Sequence, residues 1–182
     1  MADVLVETYF DGLLTDPRLD HPEGIAVGED GSVWCGGEAG QIYRIADGHI
    51  EQVASTGGFC LGVALDAAGN VYVCDLAHAA VMRMDARTGE VARFADGAAG
   101  ARMVGPNFAA IDSGGRLYVS DNGHAGARDG AIYRFSPGGE GEVWHAGPFD
   151  FANGLALSAN ESELYVAETW GRRVSAVGIN AD

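Results

Sequence analysis

Residues 107–121 read NFAAIDSGGRLYVSD: an apolar run from Phe108 to Ile111, a turn at Asp112-Ser113-Gly114-Gly115, and a second apolar run centred on Tyr118. Two short apolar segments joined by a Gly-rich turn are the pattern of a β-hairpin. The pattern occurs three more times: Glu23 followed by GIAVGEDGSVWCGG, Leu61 by GVALDAAGNVYVCD, and Asn153 by GLALSANESELYVAE, with Trp34, Tyr72 and Tyr165 in the place of Tyr118. The four copies start 38, 46 and 46 residues apart. In the first three a further strand follows, ending Tyr43-Arg44-Ile45, Met82-Arg83-Met84 or Tyr133-Arg134-Phe135. A fourth precedes the next copy, at Ile50 to Val53, Val91 to Phe94 and Glu142 to His145.

Four strands in each period of about 40–50 residues, with a fixed glycine and a fixed aromatic, is the signature of a propeller blade. No amphipathic helical period competes with it. The expectation is therefore an all-β chain, one β-propeller domain over residues 1–182, with about four blades beginning near Pro22, Phe59, Pro106 and Phe151. Val4 to Phe10 reads as an additional strand outside the repeat, of the kind that completes the last blade of a closed ring and so removes an unpaired edge. The repeated Arg44, Arg83 and Arg134 are expected on solvated strand faces.

The chain carries 26 acidic side chains against 11 basic ones, for a formal net charge of −15, and all the basic ones are arginine. Such a surface repels nucleic acid. Without lysine, neither Schiff-base catalysis nor a phosphate-binding P-loop is available. Asp3, Glu7, Asp11, Asp16 and Asp20 interrupt the first 20 residues, and no apolar run approaches the roughly 20 residues that span a bilayer. The reading is a cytoplasmic protein with no membrane partner. Cys35, Cys60 and Cys74 are odd in number and lack metal-type spacing, so they are expected to be small buried strand residues.

Because the copies align, residues in one slot occupy equivalent radial positions. The slot ahead of the first strand reads Glu23, Leu61, Asn107, Asn153, at the inner rim of the ring. An isolated Asn after proline or before glycine is ordinarily a turn former bonded to its own backbone. Three oxygen-bearing side chains in register point instead to a hard cation, since calcium takes 6–8 oxygen ligands from carboxylates and carbonyls. A second slot, at the end of the aromatic-centred strand, holds Gly37, Asp75, Asp121 and Glu168. Carboxylates there are expected to accept backbone N–H bonds at the strand-to-loop turn. Among the histidines only His124, in the Gly-rich loop from Asn122 to Gly130, is placed to meet a substrate at the channel mouth.

The Pro22-Glu23-Gly24-Ile25-Ala26-Val27 start, the Pro106-Asn107 pair, and Asn153 to Leu157 followed by Leu164-Tyr165-Val166-Ala167 resemble the senescence-marker-protein, gluconolactonase and luciferin-regenerating-enzyme family. The resemblance implies a six-bladed propeller that holds a divalent metal on its axis through one Glu, two Asn and one Asp, and that opens sugar lactones or related esters. Carried over by position, the metal ligands fall on Glu23, Asn107 and Asn153, and the metal is expected to be calcium, with zinc or magnesium as alternatives. The family's aspartate, also its usual general base, belongs to the blade after Asn153. The chain therefore reads as truncated at its C-terminus, with open blade faces available for self-association and no assigned catalytic base. Two rival readings stand beside the metal-dependent lactonase: a non-catalytic propeller scaffold, and a strictosidine-synthase-like enzyme, which the Ala167-Glu168-Thr169 segment also resembles.

Overall fold

The computed structural model of the chain describes residues 6–179, and every described element is a strand. β1 (Ile25–Val27), β2 (Val33–Gly36), β3 (Gln41–Ala46) and β4 (His49–Ser55) form the first blade, an antiparallel meander in chain order. β5 (Cys60–Leu65), β6 (Val71–Asp75), β7 (Ala80–Met84) and β8 (Val91–Ala95) form the second. A two-stranded hairpin of β9 (Gly97–Ala98) and β10 (Ala101–Arg102) follows. β11 (Pro106–Ile111), β12 (Leu117–Asp121), β13 (Gly130–Phe135) and β14 (Gly141–Phe149) make the third blade, and β15 (Ala152–Leu157), β16 (Glu163–Glu168) and β17 (Arg173–Gly178) the fourth. This is a four-blade propeller arrangement, with β1, β5, β11 and β15 as neighbouring inner strands.

Two of these elements have no counterpart in the repeat pattern. The β9–β10 hairpin supplies part of the longer interval between Leu61 and Asn107, and it turns through Ala99 and Gly100, both at positive φ (51° and 83°) as a tight hairpin turn of this hand requires. β17 lacks the apolar-Arg-apolar ending that marks the third strand of the other blades, so only its pairing with β16, Glu163 opposite Gly178 through Glu168 opposite Arg173, reveals it.

The core lies between blades. Ile42 of blade one packs with Val63, Val71, Val73 and Met84 of blade two. Tyr72, Cys74 and Val81 meet Ala109, Leu117, Val119, Tyr133 and Phe135 across the next junction, and Tyr118, Ile132 and Phe149 meet Ala152, Leu155, Leu164 and Val166 across the last. A blade is thus apolar on both faces because each face is half of a sandwich. The cysteines are free and buried in this layer, and burial pushes the Cys35 and Cys60 thiols up to about 11, which keeps them neutral.

Two expectations need correction. Val4 and Leu5 lie outside the described residues, but residues 6–10 form no strand. Instead Phe10 and Leu19 cover part of the free face of blade one, against Cys35, Tyr43 and Ile45, while Ile25 and Val27 stay exposed, and the Tyr43 hydroxyl donates to the Arg18 carbonyl at 3.0 Å. The repeated arginines are not plain surface decoration either. Arg44, Arg83 and Arg134 stand directly opposite Trp34, Tyr72 and Tyr118. The Arg83 guanidinium lies 6.0 Å from the Tyr72 ring centre and that of Arg134 lies 5.8 Å from Trp144, so these cations cap aromatic rings. Among the described residues no helix is long and apolar enough to cross a membrane.

Candidate functional site

Leu61, Asn107 and Asn153 all fall in a register break between the first and second strands of their blades. The pairing jumps from Cys60–Asp75 to Val63–Val73, from Pro106–Asp121 to Phe108–Ser120, and from Ala152–Glu168 to Leu155–Val166. Each break inserts one extra residue on the inner strand. Such bulges leave a residue outside the ladder and re-aim its side chain, which is what turns a strand residue toward a site. Glu23 sits just ahead of β1, exposed, with the same offset from its glycine.

Glycines bring these positions together. A Cβ on Gly24 would lie 2.7 Å from Gly62 Cα and 2.8 Å from the Leu61 oxygen, and one on Gly62 would lie 2.6 Å from both the Asn107 oxygen and Phe108 Cα. No side chain fits such gaps, so these glycines set the close approach of the first three inner strands. The third and fourth are tied by the Ser120 hydroxyl, which donates to the Asn153 carbonyl at 2.6 Å. The structure therefore lines Glu23, Leu61, Asn107 and Asn153 up side by side at one end of the inner strands.

The second slot holds that end in place. Asp121 accepts the amides of Val104 and Gly105 at 2.8 Å and that of Gly123 at 3.0 Å. Asp75 accepts those of Phe59 (3.1 Å) and His78 (3.0 Å), and Glu168 accepts that of Asp150 at 2.7 Å. In every case an acceptor reaches the loop that leads into the inner strand of its own blade, so these buried carboxylates fix the approach to each bulge. In blade one, where Gly37 stands, the Gln41 side chain fills the place: a Cβ on Gly37 would lie 2.5 Å from Gln41 Oε1. Burial pulls the Asp75 carboxyl upward, but the nearby Thr56 hydroxyl and the hydrogen bonds from the Phe59 and His78 amides outweigh it and hold it below the usual range. The Arg173 guanidinium, with the Asp150 amide and the Ser175 hydroxyl against the cost of burial, lowers Glu168 to about 2.

One residue further along lies a second ring that the sequence pattern did not expose: Glu38, Leu76, Asn122 and Thr169. Three of its members repeat one hydrogen bond, Leu76 N–H to the Phe59 carbonyl (2.9 Å), Asn122 N–H to that of Gly105 (2.8 Å), and Thr169 N–H to that of Phe151 (3.1 Å). Each therefore sits beside the slot residue of its blade. In blade four the contact is direct, with Asn153 Nδ2 donating to Thr169 Oγ1 at 3.0 Å. That bond uses the amino end of Asn153 and leaves Oδ1 with no donor among the described residues. Asn107 is buried, and its carboxamide is likewise unbonded. A carboxylate and two carboxamide oxygens that no donor among the described residues reaches have the chemistry that suits a hard cation. No three His, Cys, Asp or Glu side chains cluster in a metal-binding group among the described residues, so any site at this end rests on the carboxamides.

His124 lies in the loop between β12 and β13, at the same end of blade three as Asn107. Asp129 accepts both its backbone N–H, at 2.8 Å, and its ring, with Nδ1 to Oδ2 at 2.7 Å. This clasp lowers the Asp129 carboxyl and leaves the His124 Nε2 edge in solvent. Arg128 of the same loop reaches Asp150 of the next blade at 3.1 Å. At the opposite end, a cleft of about 440 Å³ between blades one and two is lined by Asp30 and Asp66. Those carboxylates are taken up by Ser32 and Arg44 and by Ala68, Asn70 and Tyr72, and are turn residues.

Residues 33–182 match the family described as SMP-30/Gluconolactonase/LRE-like region, and the chain belongs to that family. Residues 13–45 also match the N-terminal region of the strictosidine synthase-like family. A curated relative, Protein STRICTOSIDINE SYNTHASE-LIKE 6 of Arabidopsis thaliana, is 28% identical over 181 residues, covering 89% of this chain and 48% of its own length. Among solved structures, a gluconolactonase from Xanthomonas campestris superposes with a TM-score of 0.76 at 24% identity, over 88% of this chain and 59% of that one. Virginiamycin B lyase from Staphylococcus aureus gives 0.67 at 16%, over 88% and 56%. These likenesses establish the fold. The chain spans about half the length of the curated relative and less than two thirds of these structures.

Proposed function

We propose that Glu23, Asn107 and Asn153 are three protein ligands of a calcium site in a hydrolase that opens a sugar lactone or a related ester. The observation that carries this reading is the repeated bulge, which lifts two carboxamides out of their ladders and leaves their oxygens without donors. Membership of the gluconolactonase-type family supports the reaction class. Bound there, the cation would act as a Lewis acid on the substrate carbonyl.

Within that scheme the chain's own residues have distinct tasks. Glu23 contributes the single negative charge; a carboxylate committed to a cation is a weak base, so proton removal from water falls to another group, which the family resemblance places in the blade after Asn153. Asn107 and Asn153 add neutral oxygens. Asp121 and Glu168 hold the loops that carry them, and His124, fixed by Asp129, faces substrate from the mouth. The outer faces of blades one and four, with Ile25, Val27 and Val174 more than 60% exposed, are where further blades or a second copy would pack. Free buried thiols suit a reducing, cytoplasmic setting.

Calcium titration followed by thermal unfolding tests the site. A hundredfold excess over Kd should raise Tm by roughly 5–10 °C, and Glu23→Gln and Asn153→Ala should each remove most of that shift and of any lactone hydrolysis. Hydrolysis that persists in both variants would rule out the ligand set. The matches to strictosidine synthase-like proteins favour a second reading, a propeller enzyme of that type; turnover that is indifferent to calcium and to chelator would select it. Absence of both calcium response and turnover would leave the scaffold reading.

A further inference from the structure

From Ile25 onward, the exposed large hydrophobic side chains among the described residues fall into two groups. Ile25, Val27, Tyr165 and Val174 lie on the sheet faces of the first and last blades, which no described blade covers. Leu76, Val104 and Trp170 lie instead in loops at the Asn107 end, 41%, 39% and 46% exposed. Scattered apolar side chains need no explanation, but hydrocarbon gathered at one end beside a polar slot marks a binding surface. Leu76 lies against the backbone next to Val104, since a Cβ on Gly105 would stand 3.4 Å from Leu76 Cδ1. Trp170 stands apart from them, on blade four.

Trp170 is the most exposed of the three, and its loop is firmly held. The Trp170 and Gly171 amides donate to the Asp150 carbonyl at 3.3 and 3.4 Å, and the Thr169 amide donates to that of Phe151 at 3.1 Å. Gly171 permits this approach: a Cβ there would stand 3.1 Å from Glu168 Cβ and 3.4 Å from Asp150 Cβ. The indole lies on the Phe151 ring, with centroids 4.7 Å apart and planes tilted by 39°. Neither ring belongs to the core between blades three and four. The repeat does not call for an aromatic here either, because the matching positions of the other blades hold Ala39, Ala77 and Gly123. What the aromatic pair flanks is Asn153: Phe151 precedes it by two residues, and the hydroxyl of Thr169, next to Trp170, accepts its Nδ2.

We propose that Trp170, backed by Phe151, is a platform for a flat aromatic group of the substrate, so that the mouth selects aryl esters or ring-fused aromatic lactones over plain ones. An indole face left half in water is matched by a second ring, and offset stacking contributes beyond the area it buries. The polar slot beside the platform takes the carbonyl, and Leu76 with Val104 offers hydrocarbon on the side of blades two and three. A ligand with a polar end and a flat apolar end fits both parts. The inference rests on the site reading above, because it places the reacting carbonyl at the slot, but it concerns recognition and not the cation.

The test uses the full chain with calcium present and two lactams whose amide carbonyls resist hydrolysis. Dihydrocarbostyril carries a benzene ring fused to its lactam, and valerolactam is the same lactam without it. Calorimetry should show dihydrocarbostyril bound roughly tenfold tighter, and Trp170→Ala should erase most of that preference. Trp170→Phe, which keeps a π face, should stay within about threefold of the parent. Because Trp170 is exposed and outside the core, Trp170→Ala should move the Tm of the unliganded chain by no more than about 4 °C, with the calcium-induced shift unchanged. A preference that survives in Trp170→Ala overturns the platform and leaves the calcium site standing. Trp170→Phe binding as weakly as Trp170→Ala overturns the stacking assignment, and a calcium shift lost in Trp170→Ala overturns the separation of platform from cation. A parent that responds to calcium but binds both lactams equally, or neither, overturns the inference alone. One that responds to neither calcium nor lactam overturns the site reading with it.

Discussion

β12 and β16 carry nearly the same sequence, Leu117-Tyr118-Val119-Ser120-Asp121 and Leu164-Tyr165-Val166-Ala167-Glu168, yet their surroundings differ. Every residue of β12 is buried, whereas in β16 Leu164, Val166 and Glu168 are buried and Tyr165 and Ala167 are exposed. The difference is one of neighbours. Blade three is packed between blades two and four, and blade four has a neighbour on one side only. Strands written for two buried faces read as continuous apolar runs, and blade four carries Tyr165, Ala167 and Val174 on a face that no other described blade covers. Its carboxylate shows the same asymmetry: the hydrogen bonds to Asp121 come from backbone amides, while Glu168 also takes Arg173 and Ser175 from the uncovered strand β17.

The comparison can be broken most sharply by deleting matched side chains. Leu117→Ala opens a cavity between two blades and should cost about 2–5 kcal/mol in urea unfolding, whereas Val174→Ala, on the open face, should cost less than about 0.5 kcal/mol. A comparable loss at Val174 would show that the face is covered in solution.

Next in size is the anchoring of the inner strands. Asp121→Ala leaves the amides of Val104 and Gly105 without their acceptor and should cost about 1.5–3 kcal/mol. It should also blunt the calcium response, although Asp121 is not a proposed ligand. A full calcium response in this variant would detach the carboxylate ring from the site.

The narrowest effect, confined to acid pH, is the response of Glu168. Its folded pKa, about 2, lies below its ordinary value near 4.5, so its stabilising contribution is complete above pH 4.5 and is lost as pH falls from there toward 2. Glu168→Gln should flatten the stability profile across that window in urea titrations at successive pH values, with little change in slope above it. An unchanged acid slope would place the Arg173 pair in solvent-like surroundings.

Much of this was legible along the chain because a propeller repeats its instructions. Trp34, Tyr72, Tyr118 and Tyr165 mark the second strands, the turns beside them mark the hairpins, and the slot that begins with Glu23 could be aligned by eye. β17 escaped because its Arg173-Val174-Ser175-Ala176 run lacks the apolar-Arg-apolar ending that marks the third strands of the other blades. The second ring escaped because Glu38, Leu76, Asn122 and Thr169 share no chemistry; the equivalence of the last three is in a backbone hydrogen bond, and side-chain patterns do not report it. Arg44, Arg83 and Arg134 were visible as a repeat, but the rings that Arg83 and Arg134 cap lie on neighbouring strands.

The sequence alone determined the inner hairpins, the blade period, and which side chains occupy the inner slot, since period-two burial and turn chemistry are local properties written residue by residue. Only the tertiary structure decided that Leu61, Asn107 and Asn153 stand in bulges, that Gly24 and Gly62 press their strands together, and that no donor among the described residues reaches the carboxamide oxygens of Asn107 and Asn153. Those facts depend on how separate blades approach one another, and a packing distance between distant segments is not encoded in any one of them.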